Sequence, residues 1–285
     1  MITAFCPAHI TCFFQPADGI DVLSKGSRGV GMRLDRGASV SVSENRSGHT
    51  DVTMDGRPSD APITRKVIET ALPGRGFDVT VINDLPTGQG FGMSAAGAIA
   101  VALCLTELSD ISVTRAYELA HAAEVLLGGG LGDVSAIMAN VSQPVRIKAG
   151  LPPRGEVIGT DADLGRLSVA VLGPKVSTSN VLGDPDRNRM IREAGGRAVD
   201  DYLKGPTKER LYSISNSFSS ETGLEGPDME KAIGLLRENG IMSSMCMLGN
   251  SIFADCSADR LSDMLALSAS DVIPSDRPAR ITQKA

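Results

Sequence analysis

A glycine-rich turn set between a strand-like run and a long run of helix formers constrains this chain more than any other feature. Residues 86–98 read Pro-Thr-Gly-Gln-Gly-Phe-Gly-Met-Ser-Ala-Ala-Gly-Ala. The run Phe77-Asp78-Val79-Thr80-Val81-Ile82 comes just before, and helix formers fill residues 95–108. A glycine-rich turn that opens a helix is an anion site, because free backbone N–H groups and the positive end of the helix dipole point at whatever sits there. Gly88, Gly90 and Gly92 permit backbone angles and close approaches that a side chain forbids. Ser94 falls in the first helical turn, where its hydroxyl can meet a phosphate oxygen or a metal. The phosphate of a nucleotide is the expected guest.

Composition narrows the partners. The chain has 285 residues, 42% hydrophobic and 22% charged, with a net charge of −6. That length suits one large domain or two of ordinary size. An acidic balance argues against nucleic acid or anionic membrane as partner, since both need a basic face. Aromatics make up only 4% and Trp is absent, so base-stacking platforms are not expected either. The five cysteines form no CxxC pair and suit reduced thiols in a cytoplasmic protein. The N-terminal residues read as a first strand rather than a signal peptide. The apolar stretch 93–105 is too short to span a membrane, which takes about 20 residues.

Residues 1–45 are β-like, with turns expected at 16–19 and 26–29. Helices are expected at 62–72, 94–108, 114–127, 133–140, 185–203, 207–220, 227–239 and 259–268. Strands are expected at 77–82, 145–148 and 167–172, with one more inside 244–255. The order is mixed, not a strict βαβ alternation, which favours an α+β fold. Gly150-Leu151-Pro152-Pro153-Arg154-Gly155 is the best boundary, dividing the chain into 1–150 and 151–285.

Several nucleotide-binding signatures fail. Gly90-Phe91-Gly92-Met93-Ser94-Ala95 fits a weak dinucleotide fingerprint, but the βαβ frame starting at the N-terminus is missing. No Gly-Lys-Ser/Thr ending marks a Walker A loop, and the protein-kinase signatures are absent.

The motif Pro86-x-x-x-Gly90-Phe91-Gly92-Met93-Ser94-Ala95-Ala96 resembles the phosphate loop of the GHMP small-molecule kinases. Cys6-Pro7-Ala8-His9-Ile10 is similar to that family's first motif, and Glu124 with Asp133 to its metal-ligand and catalytic acidic pair. Within the family, Pro-Ala-His-Ile-Thr (7–11), Gly-Gln-Gly-Phe-Gly-Met-Ser (88–94), Gly-Leu-Gly-Asp-Val (130–134) and Met-Leu-Gly-Asn-Ser (247–251) resemble the archaeal-type pantoate kinase branch. Met93 replaces the first Ser of the general loop, and the glycine-rich third motif is reduced to Gly249.

The resemblance implies a two-domain GHMP fold, with a ribosomal S5 domain 2-like N-terminal half and a ferredoxin-like C-terminal half. It implies ATP-dependent phosphorylation of pantoate, on the route to coenzyme A, with Mg²⁺. Pro86, Gly88, Gln89, Gly90, Phe91, Gly92, Met93, Ser94 and Ala95 would hold ATP, and Ser94 and Glu124 the metal. Asp133 would act on the acceptor hydroxyl; as a helix N-cap it also has a plain structural use. Ser27, His121, Arg146 and Thr178 would contact pantoate. His121 lies three residues before Glu124, on the same helical face. Arg146 offers a bidentate fork to a carboxylate, although a packed histidine and a surface ion pair are the plain alternatives. His9 is expected only to support its motif. The rivals are the same chemistry on mevalonate or homoserine, and a catalytically silent metabolite sensor. Homodimerisation is a tendency of the family.

Overall fold

The computed structural model describes residues 1–175 and 183–284. Thr178 lies outside the described residues. Strand β1 (Ile2–Ala17) and strand β2 (Gly26–Asn45) form a long antiparallel pair. Strands β3 (Asp51–Met54) and β4 (Arg57–Pro58) follow, then helix α1 (Pro62–Ala71) and strand β5 (Gly76–Asn83). Helices α2 (Met93–Thr106), α3 (Val113–Leu126) and α4 (Asp133–Met138) lead to strands β6 (Pro144–Lys148) and β7 (Glu156–Gly159). The rest comprises β8 (Leu167–Val171), α5 (Pro185–Tyr202), α6 (Lys208–Glu221), α7 (Pro227–Glu238), β9 (Ser243–Met245), β10 (Ser251–Ala254), α8 (Ala258–Leu265), β11 (Ala269–Val272) and β12 (Arg280–Lys284).

Two sheets result. The first has the order β12-β1-β2-β5-β3-β4, with β6 paired to β2 and β7 to β6. The second is an antiparallel sheet of order β11-β8-β10-β9. Together with α5–α7 between β8 and β9, and α8 between β10 and β11, that order gives the ferredoxin-like βαββαβ arrangement. The α+β fold expected from the sequence is the one observed. Strands β7 and β12 lie beyond residue 150 yet join the first sheet.

The turn expected at 26–29 is not a turn. Ser27 and Arg28 pair with Pro16 and Gln15 as the opening of β2, and the reversal lies at residues 18–25. The glycines there serve close packing instead: a Cβ on Gly29 would stand 2.4 Å from Arg146 Nη2 and 2.7 Å from the Phe13 carbonyl oxygen. The single strand expected within 244–255 is a pair, β9 and β10, split by the 247–250 turn.

Helix α2 is apolar on every side and buried along almost its whole length, as a helix enclosed by other elements must be. It packs between the β1–β2 face and helices α1 and α3. This anchors the helix whose N-terminus opens the site. β1 is shared between the layers. Its first residues pair with β12, while Cys12 accepts a hydrogen bond from Ser215 Oγ at 2.8 Å and Thr11 one from the Met247 N–H at 3.1 Å.

Candidate active site

The glycine loop runs from the end of β5 to the start of α2. Gly88, Gly90 and Gly92 all have positive φ, at 74°, 78° and 61°. At Gly90 and Gly92 the neighbours also exclude a side chain, since a Cβ would stand 2.7 Å from the Cys246 carbonyl oxygen and 2.8 Å from that of His9. Gly92 caps α2 without any side-chain hydrogen bond. The first N–H groups of the helix are therefore free for an anion.

Gln89 turns away from the cleft and is buried. Its Nε2 donates to the Gly173 carbonyl at 2.9 Å, and its Oε1 accepts from the Asn250 N–H at 3.0 Å. The Ser251 hydroxyl donates to the Gln89 carbonyl at 2.5 Å. The reduced third motif thus clasps the back of the phosphate loop from the second sheet. Phe91 is buried as well, Pro86 is exposed, and neither lines the cleft. Gly88, Gly90, Gly92, Met93, Ser94 and Ala95 line the cleft, which holds about 740 Å³ of open space including its mouth.

Opposite the loop, α3, the 127–132 turn and α4 bring the acids in. Ser94 Oγ donates to Glu124 Oε1 at 2.6 Å, and the Gly130 N–H donates to Glu124 Oε2 at 2.5 Å. Glu124 is buried, and burial pushes its carboxyl up to about 7 despite these two bonds. The glycines of the turn are needed because the side chains of the site crowd its backbone. A Cβ on Gly130 would meet Asp133 Oδ2 at 2.3 Å, and one on Gly132 would meet Arg146 Nε and Ser27 Oγ at 2.5 Å.

Asp133 opens α4, and its Oδ1 lies 2.7 Å from His9 Nδ1. Burial raises the Asp133 carboxyl, but the His9 hydrogen bond and the nearby positive charge outweigh it and hold it below its ordinary value. Burial pulls the His9 imidazole below its ordinary value, and the Asp133 contact offsets this only in part. Arg146, on β6, is 1% exposed. Its Nε donates to the Ser27 carbonyl at 3.3 Å, and its Nη1 has no partner among the described residues. Burial draws its guanidinium down to about 10, which leaves it charged at neutral pH.

The structure therefore brings Ser27, Ser94, Glu124, Asp133 and Arg146 into one cleft. His121 is not among its lining residues: its Nε2 meets the Lys25 carbonyl at 3.0 Å, so it braces the segment leading to Ser27. Sharing a helical face with Glu124 does not bring it into the cleft, because three residues displace it about 4.5 Å along the axis, beside Lys25. Sequence reasoning gave no site role to His9, nor to the cleft-lining Thr11, Phe14, Leu131, Met247 and Leu248. The signal for His9 was a lone imidazole in an otherwise apolar, fully buried run of β1.

As a metal site, Ser94 and Glu124 offer two hard oxygens, and no group of three or more His, Cys, Asp or Glu ligands occurs among the described residues. A two-oxygen set suits a cation that keeps waters and takes further oxygens from a bound phosphate, as Mg²⁺ does. A cation there would also answer the buried Glu124 charge.

Comparison with known proteins agrees with this geometry. Residues 62–140 match the GHMP kinase N-terminal domain. A pantoate kinase of Thermococcus kodakarensis is 37% identical over 267 residues, covering 89% of this chain and 87% of that protein. A pantoate kinase of Methanocaldococcus jannaschii is 30% identical, covering 94% of this chain and 98% of that protein. Among solved structures, a phosphotransferase related to the CoA biosynthesis pathway superposes with a TM-score of 0.87 at 33% identity, over 99% of this chain and 98% of that one. A mevalonate kinase, at 13% identity and a TM-score of 0.68 over 97% of this chain and 100% of that one, shares the fold alone. The glycine loop opening α2, the acidic pair beside it and the extent of these matches together make the chain a member of the GHMP kinase family, in its pantoate kinase branch.

Proposed function

We propose that this chain transfers the γ-phosphoryl group of ATP to the 4-hydroxyl of pantoate, giving 4-phosphopantoate and ADP. The observation that carries this reading is Arg146. A fully buried guanidinium whose Nη1 has no partner, in the cleft that also holds the uncapped end of α2, calls for an anion from outside the protein. Pantoate supplies a carboxylate for that fork, hydroxyls for Ser27 and Asp133, and a gem-dimethyl group for the apolar wall of Phe14, Met247 and Leu248. The two pantoate kinases covering most of the chain support the same acceptor. Homoserine would need a carboxylate for its ammonium group. The cleft is lined by two acids, Glu124 and Asp133, and in this reading the metal and the acceptor hydroxyl take them, leaving none for an ammonium group.

In this reading the phosphates lie across the N–H groups of residues 88–95. Ser94 and Glu124 would hold Mg²⁺, which when bound neutralises phosphate charge. Asp133 accepts the hydrogen bond of the 4-hydroxyl and aims its oxygen at the γ-phosphorus. The hydroxyl oxygen forms the new P–O bond, the bond to the β-phosphate oxygen breaks, and the hydroxyl proton leaves through Asp133 to water. Phosphoryl transfer depends mostly on positioning and charge neutralisation, so a carboxylate of lowered pKa suffices for orientation. Residues 1–150 carry these groups. Residues 151–285 close the cleft through Met247, Leu248 and the Gln89 clasp, with β7 and β12 given back to the first sheet. Free thiols and use of ATP fit a cytoplasmic enzyme.

Replacing Arg146 tests the assignment. Charge-assisted hydrogen bonds are worth about 1.5–3 kcal/mol, so Arg146→Ala should raise the KM for pantoate roughly tenfold to a hundredfold. The KM for ATP should stay within about twofold, because Arg146 faces the acceptor side. Equal rises in both constants would remove Arg146 from the acceptor carboxylate.

A further inference from the structure

We infer that His9 is a positioning residue for phosphoryl transfer, fixing Asp133 in register with the phosphate loop. The inference rests on the reading that Asp133 meets the acceptor hydroxyl.

His9 is completely buried on β1, and its Nδ1 lies 2.7 Å from Asp133 Oδ1. Its other ring nitrogen, Nε2, has no hydrogen-bond partner among the described residues. That nitrogen faces Gly31 closely enough that a Cβ there would stand 2.3 Å away. A neutral imidazole carries one donor and one acceptor nitrogen. A carboxylate can only accept, so in either charge state of the ring Nδ1 is the donor to Asp133, while Nε2 is left against Gly31 without a partner. The ring is thus committed to one partner.

The main chain of His9 makes the second link. Its N–H donates to the Phe91 carbonyl at 3.1 Å, and its carbonyl oxygen lies where a Cβ on Gly92 would come within 2.8 Å. One residue therefore touches the turn that carries the phosphates through its backbone and the acceptor-side carboxylate through its side chain. Asp133 sits at the start of a helix of only six residues, joined to α3 by a glycine-rich turn. Without His9 its carboxylate would lose that reference to the loop. Misplacement by about 1 Å can cost roughly a hundredfold in rate, so a hydrogen bond that sets this distance acts on kcat and not on ground-state binding.

Two substitutions separate positioning from packing. In His9→Asn the amide nitrogen takes the place of Nδ1 and can still donate to Asp133. In His9→Gln the longer side chain carries its amide towards Gly31 instead. Rates are measured per nucleotide-binding site, so any unfolded fraction drops out. His9→Asn should keep kcat within about threefold, while His9→Gln should lose roughly tenfold to a hundredfold, with both KM values unchanged within about twofold. In an Asp133→Asn background His9→Gln should add less than about twofold, because the two residues act as one unit. Equal kcat for His9→Asn and His9→Gln, or losses that multiply in the double variant, would overturn the positioning role. If wild-type enzyme turns over another acceptor instead of pantoate, the acceptor assignment fails, and the His9 comparison is read on that acceptor. Full activity in Asp133→Asn would overturn both.

Discussion

Glu124 and Arg146 are buried charges that the free protein leaves incompletely answered, and each has its own signature. Burial lifts the Glu124 carboxyl from its usual value near 4.5 to about 7. A carboxyl raised in the fold favours the protonated native state. Its contribution to stability is complete below about pH 4.5 and is lost as pH rises through about 7. The melting temperature of ligand-free protein should therefore fall between pH 5 and 8 relative to that of Glu124→Gln, which lacks the titration. Parallel pH profiles for the two proteins would contradict this environment for Glu124. At this scale the sequence was a good guide where a residue sat inside a dense motif: Ser94, Glu124 and Asp133 meet in the cleft. His9 and His121 show what it could not give. Both are single histidines on buried faces, and which atom each ring reaches depends on elements more than 90 residues away in the chain.

The phosphate loop is an element built from two sides. Its helix and its preceding strand were legible because their periodicities are strong, whereas the clasp formed by residues 246–251 was not. Gly249 looked like the remnant of a motif; in the fold it is the point where the second sheet presses on the loop. A Cβ at Gly249 would stand 2.1 Å from both the carbonyl carbon and the oxygen of Gln89. Backbone cannot yield to that contact as the end of a side chain can. Gly249→Ala should displace the loop, raise the KM for ATP at least tenfold and cost stability on the order of 1–3 kcal/mol. Nucleotide titration and thermal melting check this, and wild-type values for both would show that the clasp does not set loop position. The strands missed from the sequence (β3, β4, β7, β11 and β12) have two to five residues each. Their pattern is too short to stand out, and tertiary pairing, not local propensity, forms them.

Across the whole molecule, β1 is the element that makes one site from two sheets. It borders β12 and β2, carries His9 to Asp133, and lends Thr11 and Cys12 to the β9–β10 turn and α6. The glycine loop is held to the second layer through Gln89, so the nucleotide side and the closing side of the cleft are physically joined. The mixed order of elements was enough to foresee an α+β fold, and the glycines were enough to foresee an open turn at the start of a helix. The return of β7 and β12 to the first sheet was not foreseeable, because nothing local in a short terminal strand records which sheet edge it will find. Every role assigned above depends on one cleft that accepts ATP and a small hydroxy acid together. The direct test is ADP release by purified protein with ATP and Mg²⁺, offered pantoate, mevalonate, homoserine and galactose in turn. Turnover on pantoate alone is the expected result. Turnover on one of the other acceptors, or none on any despite bound nucleotide, would contradict the assignment of this cleft.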